Sequence, residues 1–133
     1  MTLRQFYNNL AHYVKPESIF IFDMDGTLVN SDIANFNAYS EALSPTINLA
    51  QRYIAGRITR ASLSELGVSR NMQESVISQK REIYNKYLKD TIKMPLACKI
   101  LEIVSKTNMT ILATQSEKQR AIDTLQYHNL HAK

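Results

Sequence analysis

The chain has 133 residues, 44% hydrophobic and 21% charged, with 16 Lys and Arg against 12 Asp and Glu for a net charge of +4. That is the length of one domain with material for a core, and it excludes a disordered or low-complexity chain. The mild positive surplus suits an acidic small molecule, and no dense basic stripe or aromatic-interleaved basic run points to nucleic acid.

A single cysteine, Cys98, precludes an internal disulfide and fits a reducing, cytoplasmic setting, with packing on a helix as its expected role. No apolar run approaches a membrane span or a signal h-region, so neither membrane insertion nor export is expected. The sequon Asn108-Met109-Thr110 is then accidental.

Leu3, Phe6, Tyr7, Leu10, Tyr13 and Val14 recur at helical spacing, predicting a short amphipathic helix over 2–14, packed across a sheet and ended by Pro16. Ile19-Phe20-Ile21-Phe22 then reads as a strand buried on both faces, delivering Asp23-Met24-Asp25-Gly26-Thr27 to a polar turn. Open α/β sheets bind their ligands at that end. Residues i and i+2 of an extended segment point the same way, so Asp23 and Asp25 can share one small volume. Two such charges repel unless a cation lies between them or one carboxyl keeps a proton. Mg²⁺ takes carboxylate oxygens and is often shared with a substrate phosphate, while a protonated carboxyl can act as a general acid. Gly26 permits a tight turn and the approach of its N–H to an anion. A calcium loop counted from Asp23 fails, because Leu28 falls where glycine is required and Ala34 where a bidentate Glu belongs.

Beyond the turn, Asn30, Ser31 and Asp32 are cap residues for a helix reaching Ser44-Pro45. A helix over 47–55 stopped by Gly56, another over 62–66, and a long one over 71–90 follow. No strand signal interrupts 32–93, and this segment holds nine Lys and Arg against six Asp and Glu. Pro95 opens a helix through Leu96, Ile100, Leu101 and Val104. Met109–Ala113 reads as a second buried strand, ending in Thr114-Gln115-Ser116 ahead of a helix from Glu117 through Leu130. Thr114 or Ser116 either serves chemistry at this strand end or caps that helix. His128 and His131, even with Cys98, make too small a ligand set for a metal site.

The stretch Phe22-Asp23-Met24-Asp25-Gly26-Thr27-Leu28-Val29 resembles the first motif, D-x-D-G-[TS]-[LV], of the haloacid dehalogenase-like (HAD) superfamily, and the strand ending in Thr114 resembles its second. The helical run over 32–93 is similar to the cap of the branch that includes phosphoglycolate phosphatase and β-phosphoglucomutase. The resemblance implies an α/β fold: a Rossmann-like core with a parallel sheet, incomplete in this chain, from 1–31 and 94–133, and an α-helical cap inserted over 32–93. It implies a Mg²⁺-dependent phosphohydrolase that acts on a small phosphorylated metabolite. Asp23 would be nucleophile and metal ligand. Asp25 would be acid and base, adding its backbone carbonyl to the metal. Met24, Gly26 and Thr27 would form the phosphate-binding turn, with Thr114 and the Gln115 amide on the phosphoryl oxygens. Arg57, and Arg60 beside it, would contact substrate from the loop after Gly56. Asp25 argues against the dehalogenase branch, since a halide needs no proton donor.

Two further motifs of the family, a basic residue and an acidic pair, follow later strands. Neither Lys118 nor Lys133 follows such a strand. A truncated piece of a longer phosphatase, a partner chain that completes the sheet, and a shortened protein without catalysis are the three expectations. A phosphomutase and a non-catalytic phosphate-binding module are the alternative functions.

Overall fold

The computed structural model describes residues 1–45, 47–48 and 58–130. In chain order the elements are α1 (Leu3–Ala11), β1 (Ile19–Phe22), β2 (Val29–Asn30), α2 (Asp32–Leu43), α3 (Arg60–Glu65), α4 (Arg70–Ile83), a 3-10 helix (Tyr84–Asp90), β3 (Ile92–Lys93), α5 (Pro95–Val104), β4 (Met109–Leu112) and α6 (Lys118–Tyr127). This is an α/β architecture, a short parallel sheet with many helices, as in a partial Rossmann-like core. The expected helix over 47–55 and its Gly56 stop lie outside the described residues, apart from Ile47 and Asn48. Among the described residues no helix is long and apolar enough to cross a membrane.

Local chemistry sets most of the boundaries. Thr2 and Gln5 form a capping box on α1, each side chain accepting the other's backbone N–H. Thr59 and Ser62 do the same for α3, and Pro95 starts α5 where its missing N–H costs nothing. The Asn30 side chain accepts the Asp32 amide at 3.0 Å ahead of α2. Gly67, at φ +79°, follows α3.

β1 and β4 pair in parallel, with Ile19 opposite Met109 and Phe22 opposite Leu112. Asn108 fixes that register from the N-terminal end: its amide nitrogen donates to the Lys15 carbonyl at 2.6 Å and the Ser18 carbonyl at 3.0 Å. The asparagine of the sequon is thus a clamp between the two strand entrances.

Four expectations are corrected. β1 is not buried on both faces: Ile19 is 57% and Ile21 68% exposed, and Met109 and Ile111 opposite them share that open face. Side chains alternate across a strand, and among the described residues packed layers cover one side of this pair only. Helix α1 stops at Ala11, short of the expected residue 14, and none of its residues is fully buried, with Phe6 and Leu10 of its apolar face half-buried. The segment 71–90 is not one α-helix. It tightens at Tyr84 into a 3-10 helix, whose three residues per turn stack Tyr84 and Tyr87 on one side. Residues 32–93 do contain a strand, the two-residue β3, paired with β2.

The chain falls into two compact units, Met1–Val29 with Lys93–Gln115, and Asn30–Ile92 with Ser116–Lys133. In the strand-bearing unit the buried side chains include Phe22, Met24, Leu28, Val29, Cys98 and Val104. In the helical unit Tyr39, Leu43, Ile58, Leu63, Val76 and Ile77 form one cluster, and Ala34, Ala38, Tyr84 and Leu88 another. Lys80 is buried beside them, its ammonium 4.9 Å from the Tyr39 ring centre and 5.1 Å from that of Tyr84. Arg120 stacks on Tyr84 at 4.2 Å.

Candidate active site

β1 ends at Phe22 and the chain turns at once. The Met24 carbonyl accepts three amides, from Leu28 at 2.9 Å, Val29 at 3.1 Å and Thr27 at 3.2 Å, which closes the neck of a tight loop. The Met24 side chain, fully buried, pegs that neck into the core. Gly26 takes φ +80°, a conformation that costs an L side chain heavily. Its N–H donates to the Val29 carbonyl at 2.8 Å, so the expected approach of this amide to an anion is not what the structure shows. The positive φ that makes the turn also aims the amide back across it. The Met24 amide is likewise engaged, donating to Asp23 Oδ1 at 2.9 Å and so orienting that carboxylate.

Asp23 is exposed, and Asp25 and Thr27 are half-buried. The ladder to β4 runs one step further: the Ala113 amide donates to the Phe22 carbonyl at 2.8 Å, which sets Asp23 beside Ala113 with Thr114 and Gln115 next in the chain. Thr114 is half-buried and Gln115 exposed. The N-cap of α6 is Glu117, and it makes no side-chain cap bond. Parallel register therefore brings Asp23, Asp25, Thr27, Thr114 and Gln115 to the carboxyl end of one strand pair. Met24 keeps its side chain in the core and its backbone in the turn's own hydrogen bonds. Arg57 and His131 lie outside the described residues.

Features of both units escape a reading of the sequence. The Leu28 carbonyl accepts both the Met94 amide at 2.8 Å and the Cys98 thiol at 3.3 Å, so Cys98 is a hydrogen-bond donor as well as the packed residue expected. Burial pushes that thiol's pKa up, with Lys93 opposing more weakly. Nothing in the spacing of Leu28 and Cys98, seventy residues apart, signals the contact. In the helical unit, His128 Nε2 lies 2.7 Å from Thr91 Oγ1. That unit also carries an open groove of about 320 Å³ lined by Arg81, Tyr84, Glu117, Arg120 and Asp123 among others, none of them a site residue expected from the sequence.

The fold is shared with solved structures of low sequence identity. A haloacid dehalogenase-like family hydrolase from Streptococcus pneumoniae superposes with TM-score 0.67 at 22% identity, over 85% of this chain and 56% of its own. A candidate phosphoglycolate phosphatase from Lactobacillus plantarum gives 0.64 at 17%, over 86% and 59%. A HAD family hydrolase from Deinococcus radiodurans, with bound phosphate and sodium, gives 0.52 at 18%, over 86% and 54%. The chain thus spans little more than half the length of these structures. No curated protein matches it in sequence. The family profile of haloacid dehalogenase-like hydrolases matches residues 20–133, from inside β1 through the aspartate turn and the Thr114 strand end. With that match running through the turn and both strand ends, this chain belongs to the haloacid dehalogenase-like hydrolase family.

Proposed function

We propose that the protein is a phosphohydrolase acting on a small, soluble phosphate monoester, in a cytoplasmic setting. The observation that carries this reading is the parallel register of β1 and β4, which opens Asp23, Asp25 and Thr114 onto one edge of the sheet. An Asp23 carboxylate oxygen attacks phosphorus, and the bond from phosphorus to the ester oxygen breaks as the Asp25 carboxyl gives that oxygen its proton. The aspartyl-phosphate is then hydrolysed: Asp25 takes a proton from water, the water oxygen bonds to phosphorus, and the Asp23 carboxylate is restored as phosphate leaves. Splitting one displacement into two in this way is what a carboxylate nucleophile offers. The Thr114 hydroxyl and Thr27 orient the phosphoryl oxygens, with Met24 and Gly26 shaping the turn that places Thr27, Gln115 beside them and Arg57 contacting the remainder of the substrate.

The donor chemistry fits Mg²⁺. Asp23 and Asp25 are hard oxygen ligands, and this ion is commonly held by one or two carboxylates plus substrate phosphate. Among the described residues no cluster of three or more His, Cys, Asp or Glu side chains forms. Asp23 and the Asp25 backbone carbonyl would hold the ion, which when bound offsets charge on the phosphoryl oxygens. Among the described residues the β1–β4 sheet has two strands, which supports a further proposal, that additional chain or a second chain completes the sheet and covers the apolar face carrying Ile19, Ile21, Met109 and Ile111.

The test is turnover of an aryl phosphate with Mg²⁺, by this chain and by one extended to the length of its structural relatives. Asp23→Asn is expected to lower kcat by roughly a thousandfold or more in whichever form is active. Silence from both forms, with phosphate binding retained, would overturn the enzyme reading in favour of a binding module.

A further inference from the structure

The exit of the aspartate turn is held by the start of α5. The Leu28 carbonyl accepts two donors there, the Met94 amide at 2.8 Å and the Cys98 thiol at 3.3 Å. One residue on, the Val29 carbonyl accepts the Gly26 amide at 2.8 Å, so whatever fixes Leu28–Val29 also fixes the peptide that follows Asp25. On the other side, Met24 is fixed by its buried side chain and by the three amides its carbonyl accepts. Asp25 lies between two clamped peptides, and one donor of the second clamp is a side chain.

That side chain has the chemistry the clamp requires. Cys98 is 8% exposed, and burial pushes its pKa upward, so at neutral pH it carries the proton that a thiolate would lack. A residue present only to fill space needs no donor. Valine, close to cysteine in volume and without a polar hydrogen, would serve equally well.

We propose that Cys98 is a positioning residue for the aspartate turn: its thiol hydrogen bond to the Leu28 carbonyl holds the segment that places the Asp25 carboxyl for proton transfer. The role of Asp25 rests on the phosphohydrolase reading above, whereas the bond and its effect on the turn do not.

The chain has one cysteine, so the S–H stretching band in its Raman spectrum reports this group alone. The band is expected at lower frequency in the folded chain than in the urea-unfolded one. Cys98→Val, which keeps the volume, and Cys98→Ser, which keeps a donor, then separate packing from bonding. In the active form Cys98→Val is expected to lower kcat about three- to tenfold with KM within about twofold, and Cys98→Ser to stay nearer the wild type. The Gly26 amide resonance should move in Cys98→Val and hold in Cys98→Ser, whether or not the chain turns over. A folded-state S–H band at the free-thiol position, or a Cys98→Val chain with an unmoved Gly26 resonance, overturns the proposal. A displaced band and a moved resonance, with phosphatase activity absent from both this chain and the extended one, uphold the clamp and sink the phosphohydrolase reading instead.

Discussion

At Gly26 the backbone sits at φ +80°, and an added Cβ would meet nothing within 4 Å. A side chain there is opposed by conformation and not by space. Gly26→Ala is therefore expected to cost about 1–2 kcal/mol of stability, and Gly26→Asn less, since Asn tolerates this region best, measured by urea denaturation. A shared loss as large as that of a core truncation would show that the position is crowded after all. The sequence makes the turn legible, because Asp-Gly after an apolar run has few other outcomes. The destination of the Gly26 amide is not legible. It depends on where Val29 returns, which only the closed loop decides. Cys98 is the same lesson from the other side: its burial follows from helical spacing, while its bond to Leu28 needs two segments seventy residues apart to meet.

Elements are bounded by residues that can be read locally and joined by residues that cannot. Thr2, Thr59 and Pro95 announce helix starts by chemistry that acts within one turn. The change of winding at Tyr84 has no such marker. Lys80 reads as a solvated charge, and its burial becomes intelligible only when Tyr39, on another helix, supplies a ring beneath the ammonium. Asn108 joins two strand entrances, and Asn108→Ala removes both donors from the Lys15 and Ser18 carbonyls. A loss of about 1–2 kcal/mol is expected, with Asn108→Asp failing to rescue it because a carboxylate has no N–H to give. Within the helical unit, Glu41 of α2 accepts from Lys86 at 2.6 Å and from the Tyr87 hydroxyl. These bonds, Lys86 first and Tyr87 second, hold its carboxyl below the usual carboxylate pKa. The unfolded chain then binds the proton first as pH falls. Its small contribution is complete above the ordinary carboxylate range and lost below it. Glu41→Gln should lower stability slightly at neutral pH and leave it nearly unchanged at low pH, and so flatten the acid limb of a stability–pH curve. An acid limb identical to that of the wild type would refute this.

Over the whole molecule, the α/β class, both strands and the residues at their shared edge are legible in the sequence, because apolar runs that end in polar turns say where a sheet presents its chemistry. Which faces of those strands find cover is not, since an unbroken apolar run is silent about the layers available to it. Ile19, Ile21, Met109 and Ile111 form the outcome, an apolar stripe across both strands. Replacing Ile21 and Ile111 together by Thr should reduce dye binding and self-association of this chain, read by light scattering, with less than about 1 kcal/mol lost, because Thr keeps β-branching and neither side chain reaches the core. A collapse in stability would show that this stripe is part of the interior.

Phe22 and Leu112 are neighbours in space but about ninety residues apart along the chain. A ribosome making this protein releases the first strand long before its mate exists, while the intervening segment has its own apolar clusters to gather meanwhile. Each contact formed in that interval shortens the effective tether between the two strands and lowers the entropy that their meeting must overcome. The order of birth thus favours helices settling first, with the edge that carries Asp23 and Thr114 assembled last.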